Sequence, residues 1–250
     1  PPRPRRRTLL APLAAIAGFA ELLRADADGR LSDAQRAHVE EILNAAAHLG
    51  DLVNDVLDIR SMDAGRISVH VETVPVALVV DETLAMTTVL AEKRGVRFER
   101  NLGGWENAYL VADRARLRQV LINIVSNAIK YNRDGGLVEI TCARAPGETV
   151  DAPRPHVVDS PGSLRSSMRA RISVRDTGSG ISAPDRATLF KPFSRVEGAP
   201  GSPDGVGIGL YIARGLMELL GGEIGFDSTP GVGSTFWIDV PIAKDIAIPV

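Results

Sequence analysis

Asn123 and Asn127, in LINIVSNAIKYN, stand four residues apart, so a helix presents both carboxamides on one face. A carboxamide oxygen is a hard donor of the kind Mg²⁺ accepts. Lys130 follows one turn later, where an ammonium would meet a phosphate. In RDTGSGI, Asp176 closes an apolar alternating run just before Gly178 and Gly180. A buried carboxylate there would accept a hydrogen bond from an amino group such as that of adenine. The glycines would let backbone approach a ligand closely. In GVGIGL, Gly205, Gly207 and Gly209 open a helical pattern, where free N–H groups and the helix dipole suit phosphate. PGVGSTF adds a glycine turn entering a strand. Each motif is weak alone, since paired asparagines on a helix are ordinarily caps or surface groups. No GK[ST] follows the glycines, which excludes a P-loop. They follow a Pro/Gly loop and not a strand, which excludes a Rossmann fingerprint.

The elements that must carry these groups can be read from periodicity. Val76 to Arg94 and Arg114 to Tyr131 predict helices, the second burying Leu117, Val120, Leu121, Ile124, Val125 and Ala128. Ile208 to Leu220 predicts a third. RISVHVETV, GVRFERNL, AYLVAD, LVEITCAR, RARISVRD, GEIGFDS and STFWIDVPI read as strands, with LVEITCAR and RARISVRD able to pair antiparallel. Between those two lies a Pro-, Ser- and Gly-rich stretch, about residues 145–168, long for a hairpin loop and read as a mobile insertion or a partner-binding loop. Ahead of this α/β region, Leu9, Leu13, Ile16, Ala20 and Leu23 form a heptad-like stripe. Val39, Ile42, Ala46, Leu49, Val53 and Val56 form a second, with Ser32 or Asp33 as its N-cap. These predict an αα-hairpin that cannot bury both stripes alone, so a homodimer through residues 8–62 forming a four-helix bundle is expected. The domain reading is a helical hairpin over 1–66 and an α/β domain over 67–250.

The chain has 250 residues, 44% hydrophobic and 24% charged, with net charge −2. That balance argues against nucleic acid as a partner. Only Arg3, Arg5, Arg6 and Arg7 form a basic run, read as a solvated linker or, alternatively, a membrane-proximal or nucleic-acid-touching arm. The single cysteine, Cys142, sits in an apolar strand and reads as core. The lack of a possible intramolecular disulfide fits a reducing, cytoplasmic compartment. No apolar run spans a bilayer and no signal peptide is visible, so any membrane attachment is expected through regions outside this chain.

Taken in order, the motifs resemble the ATP-binding domain of the GHKL superfamily, specifically of sensor histidine kinases. NIVSNAIKYN resembles its N box, DTGSGI its G1 box, LFKPFSRV its F box and GVGIGLYI its G2 box, with GSTFWI closing the domain. The resemblance spans roughly Pro75 to Pro241 and implies an α+β chain whose second domain is an α/β sandwich. It implies ATP as cofactor, under a lid formed by VEGAPGSPDG. Asp176 would read adenine and Asn127 would hold Mg²⁺. Lys130, Tyr131 and Arg195 would lie near the nucleotide, and Phe190 and Phe193 would anchor the lid base, although core packing would explain the phenylalanines equally. Gly205, Gly207 and Gly209 would form the phosphate-facing hinge. Asn123, Gly178, Gly180, Ile181, Leu210 and Thr235 belong to the same boxes. In the hydrolytic members a glutamate resembling a general base stands where this chain has Asn123, and an amide has no such basicity.

In this family the preceding hairpin is the phosphotransfer unit, its first helix resembling HELRTPLxAIxGFAELL. PLAAIAGFAELL is in register from Pro12. The phosphoacceptor histidine then falls on Arg7, the acidic residue after it on Thr8, and the Thr or Asn used in dephosphorylation on Ala11. Arginine stays protonated, with a pKa above ~12, and has no free lone pair for attack on a γ-phosphate. Thr8 is no general base, and Ala11 cannot position a water. His38, His48, His70 and His156 show no pattern that substitutes for the acceptor. The resemblance therefore implies a pseudokinase, similar in principle to DivL-type regulators. It would dock a response regulator receiver domain or a partner histidine kinase. The alternatives are an enzyme that phosphorylates a partner in trans, or a scaffold that binds no nucleotide.

Overall fold

The computed structural model describes residues 6–25, 31–63, 67–146, 165–194 and 207–243. The chain divides into two compact units, Pro1–Ile67 and Ser68–Val250.

The first unit is two helices, α1 (Arg6–Ala25) and α2 (Asp33–Asp63). Of the two candidate caps for α2, Ser32 serves. Its Oγ accepts from Gln35 N–H at 3.3 Å, and its own N–H donates to Gln35 Oε1 at 2.8 Å. This reciprocal capping box satisfies two N–H groups the helix cannot use. Where the helices meet, Ala20, Val39 and Ala46 are buried. Small residues at the contact let the helices approach closely. Leu13 and Val53 of the stripes are half-buried, whereas Ile16, Leu23, Ile42, Leu49 and Val56 stay exposed along the pair. Both sets repeat every seven residues, so the hairpin satisfies one seam and leaves a second open.

The second unit follows as β1 (Glu72–Pro75), α3 (Val76–Lys93), β2 (Arg97–Asn101), β3 (Tyr109–Ala112), α4 (Arg114–Lys130), β4 (Leu137–Arg144), β5 (Arg165–Asp176), the short α5 (Ala183–Arg186), α6 (Gly209–Leu219), β6 (Glu223–Thr229) and β7 (Gly233–Ala243). The sheet order is β1-β3-β7-β5-β4-β2, with β6 also on β7. Among the described residues only β2 and β4 run parallel, and the other pairs are antiparallel. Val138, Ile140, Ile172, Val174, Ile238 and Val240 alternate onto one buried face. α4 lies against β4 and β5 and supplies Leu117, Val120, Leu121, Ile124 and Val125 to the core. α6 packs on α4 and β6. Helices on one face of a mixed sheet make the expected α/β sandwich.

The other sheet face carries Arg171, whose guanidinium forks onto Asp239 at 2.7 Å through both Nε and Nη2 and lies 3.7 Å over the Trp237 ring. The indole in turn lies flat on Gly225, where a Cβ would come within 2.2 Å of it. Cys142 is core, as its setting predicts, and burial pushes its thiol up to about 12.

Two expectations need correction. RISVHVETV is a strand only from Glu72, although its alternation begins earlier. Its partner β3 ends at Ala112, because Asp113 turns the chain into α4 by accepting from Arg116 N–H, so the upstream residues have no ladder to join. At the other point, β5 takes in Arg165 to Met168, which composition assigned to the insertion, and Ala145 is buried with its N–H on the Arg169 carbonyl at 3.0 Å; residues 147–164 of that insertion lie outside the described residues.

Candidate functional site

The site residues sit on α4, at the end of β5, and at the starts of α6 and β7. Asp113 caps α4, with Oδ1 on Arg116 N–H and Oδ2 on His70 N–H at 2.9 Å. This holds the helix by its N-terminus and leaves its last turns to carry the asparagines. Asn123 donates from Nδ2 to the carbonyl of Gly209, the first residue of α6, at 3.0 Å. Its Nδ2 thus fastens α4 to the hinge of the glycine loop. Asn127 is half-buried, and its carboxamide makes no hydrogen bond among the described residues. It is therefore free to ligate. Lys130 and Tyr131 follow at the helix end, both half-buried.

Asp176 is 6% exposed and ends β5. Gly178 N–H and Ser234 N–H both donate to its Oδ1, at 2.8 and 3.2 Å. Burial raises its carboxyl above the ordinary aspartate range, against the pull of those two donors. Both donors converge on one oxygen, so Oδ2 remains for a further donor. The backbone around it is crowded. A Cβ on Gly178 would lie 2.3 Å from the Tyr131 carbonyl, and one on Gly233, at φ +138, would lie 2.1 Å from the Asp176 carbonyl. These glycines hold the strand end against α4 and β7. Gly180 adopts φ +68 against Thr229, and Ile181 N–H donates to Ser228 Oγ at 2.8 Å.

Ser234 is a site residue that sequence reasoning missed. It is buried beside Asp176, and its Oγ lies 3.0 Å from Ser228 Oγ. Thr235, expected here, falls on the opposite sheet face, opposite Arg175 on β5 and Asp227 on β6. Strand alternation decides this: the residue that shares a face with Asp176 is its even-numbered neighbour on β7.

The two phenylalanines separate. Phe190 is half-buried and packs on Phe226 with ring centroids 5.9 Å apart, and Phe226 stacks on the buried Phe236, so Phe190 joins an aromatic row that runs into the core. Phe193 is 65% exposed and takes φ +62, a left-handed conformation a bulky side chain rarely adopts. Gly207, at φ +72, leaves no room for a Cβ, which would lie 2.2 Å from the Ser194 carbonyl. The two ends of the glycine loop therefore meet, Ser194 against Gly207, while Arg195 and Gly205 lie outside the described residues. Leu210 is half-buried in the first turn of α6. Arg7, Thr8 and Ala11 fall in the first turns of α1, in the other unit.

Residues 112–244, more than half of the chain, match the family described as histidine kinase-, DNA gyrase B- and HSP90-like ATPase. The chain belongs to that family. Residues 8–65 match the His kinase A (phospho-acceptor) domain, so the two units have the pairing of a sensor histidine kinase core of two-component signal transduction. Among curated relatives, the sensor protein GacS of Pseudomonas syringae pv. syringae is 35% identical over 93% of this chain and 24% of its own length. The histidine protein kinase DivJ of Caulobacter vibrioides is 33% identical over 94% of this chain and 36% of its own. This chain therefore spans about a quarter to a third of such relatives. The crystal structure of full-length ShkA in complex with AMPPNP superposes with a TM-score of 0.72 at 28% identity, over 97% of this chain and 45% of that one. The Acinetobacter baumannii histidine kinase AdeS shares the fold, with a TM-score of 0.59 at 21% identity over 93% of this chain and 96% of that one. Among the described residues no helix is long and apolar enough to cross a membrane.

Proposed function

We propose that this chain is a dimeric, Mg-ATP-binding pseudokinase of two-component signalling. The nucleotide reading is carried by Asp176: a buried carboxylate with two backbone donors on one oxygen and the other oxygen open, a setting made for an adenine amino group. Asn127 would hold Mg²⁺. Among the described residues no three His, Cys, Asp or Glu side chains gather, so the remaining ligands would be phosphate oxygens and water, as Mg²⁺ commonly takes them. Lys130 would neutralise phosphate charge, and the Gly207–Gly209 hinge would bring backbone N–H groups to it. Asn123, with its amide on Gly209, offers no base to activate water, which favours holding the nucleotide over hydrolysing it.

The pseudokinase reading rests on Arg7. Phosphoryl transfer to a nitrogen needs an in-line lone pair, and the guanidinium has none to give. Signalling would then run through conformation and contact, with the hairpin docking a response regulator receiver domain or a partner kinase. The exposed heptad seam supports a homodimer. The free Asn127 carboxamide and open Asp176 oxygen also favour a second reading, an active enzyme that phosphorylates a histidine on a partner.

Incubation with γ-labelled ATP separates these readings, run alone and with a histidine kinase and its regulator. Label on this chain overturns the pseudokinase reading. Label on the partner kinase, beyond what it acquires alone, favours transfer in trans. No rise in melting temperature with ATP would leave only the nucleotide-free scaffold.

A further inference from the structure

The loop Tyr131–Gly136 joins α4 to β4, and its polar side chain folds inward. Asn132 Nδ2 donates to the Leu137 carbonyl at 3.0 Å, and its Oδ1 accepts from Thr177 Oγ1 at 3.1 Å. Thr177 Oγ1 accepts in turn from Leu137 N–H at 3.0 Å, and Thr177 N–H donates to the Leu137 carbonyl at 3.2 Å. The result is a closed ring of hydrogen bonds among three residues from three segments: the end of α4, the start of β4 and the end of β5. Gly136 makes room for it, since a Cβ there would lie 2.2 Å from Asn132 Oδ1.

We propose that Asn132 and Thr177 are positioning residues that lock the base-reading carboxylate of Asp176 to the phosphate end of α4. The lock lies one residue beyond Asp176 on one side and one beyond Tyr131 on the other. Lys130 and Asn127 are on the same final turns of α4. Opening the ring lets the β5 end shift relative to that helix while the sheet ladder from Val138 to Asp176 onward still holds the fold. The consequence falls on base recognition. The phosphate-facing groups stay on α4, whereas the carboxylate loses its fixed distance from them.

This inference rests on the nucleotide reading above. It is tested by titrating the full chain and its Asn132→Ala, Thr177→Val and doubly substituted variants with ADP and with inosine diphosphate, which lacks the adenine amino group. Each single variant should weaken ADP binding about tenfold, and the double variant no further, because either change opens the same ring. Inosine diphosphate binding should stay within about twofold, and Thr177→Ser, which keeps the hydroxyl, should bind ADP like the parent chain. Thr177→Val is nearly isosteric, so it keeps the test valid if Asn132→Ala lowers stability. Unchanged ADP affinity in the valine variant overturns the lock, and so does a parallel loss of both nucleotides, which marks general loosening. A parent chain that binds no ADP overturns the nucleotide reading itself.

Discussion

Ile16, Leu23, Ile42, Leu49 and Val56 stand 41–51% exposed on the helical unit, while Ile172, Ile238 and Val240 of the α/β unit are at 0%. Both sets are aliphatic and strictly periodic, yet only one is satisfied within its own unit. The sheet finds its cover in α4 and α6, a few tens of residues away in the same chain. A two-helix hairpin has only one contact line, and Ala20, Val39 and Ala46 already occupy it. Its second heptad seam therefore has no partner within the unit, as expected of a domain type that dimerises. Stability in one unit is intramolecular; in the other, on the dimeric reading proposed above, it depends on protomer concentration.

The sharpest break of that contrast is a core truncation. Ile172→Ala should destabilise the α/β unit by about 3 kcal/mol, within the range for buried aliphatic truncations, at any protein concentration. Urea melts at two concentrations would check it. A concentration-dependent loss would mean that this core, too, is completed by a second chain.

Next comes Asp176→Asn. The amide can still accept the two N–H bonds on Oδ1, but its second group is a donor and opposes an adenine amino group. ADP affinity should fall by about a hundredfold, since a buried polar pair is broken with its partners still desolvated. Burial raises the carboxyl, so between the ordinary aspartate range and the raised folded value the folded state binds more protons than the unfolded one. Stability of the unliganded unit therefore decreases as pH rises through that window, and the Asn variant should flatten the slope. ADP affinity should move the opposite way, improving as pH rises, because the ionised carboxylate is the stronger acceptor. Calorimetric titrations and melts across acid pH read both.

For the seam, Leu49→Ala should raise the dimer dissociation constant by about tenfold, measured by sedimentation, without moving the melting of the α/β unit. An unaltered dimer would place the interface elsewhere.

What could be read from sequence and what could not follows the same division. Repeats of 3.5 or 2 residues gave away the helices, the core strands and even the open seam, because periodicity is local. The order of the motifs singled out Asp176, Asn123 and Asn127 as candidates from the sequence. The misses depend on strand register, on contacts between distant elements or on backbone conformation, none of which is local in the sequence pattern. G-S-T-F does not say whether Ser234 or Thr235 faces Asp176; that depends on how β7 aligns with β5. The bond from Asn123 to Gly209 crosses 86 residues and ties an expected ligand-facing amide to the lid hinge. The early end of β1 was set by its partner's cap at Asp113, a fact belonging to another strand. Phe190 and Phe193 look alike in sequence, and only the backbone reversal at φ +62 parts them.

The smallest effect sharpens the contrast most directly. Gly18 lies exposed in the middle of α1, and a Cβ built there meets nothing within 4 Å. In the hairpin by itself, Gly18→Ala should therefore stabilise α1 by about 0.5–1 kcal/mol, since alanine gives up less backbone entropy in a helix and adds no clash. That is the expected result for a surface glycine, read as a small rise in the melting temperature of the helical unit at low concentration. Raising the concentration tests a second condition. If the gain persists in the dimer, the face at Gly18 stays solvated in the assembly, and the seam runs only through Ile16, Leu23 and their α2 counterparts. If the gain turns into a loss as the dimer forms, another helix approaches closely enough to need the missing side chain. A single methyl group, with no effect on any contact visible in one hairpin, thus measures how close the second one comes.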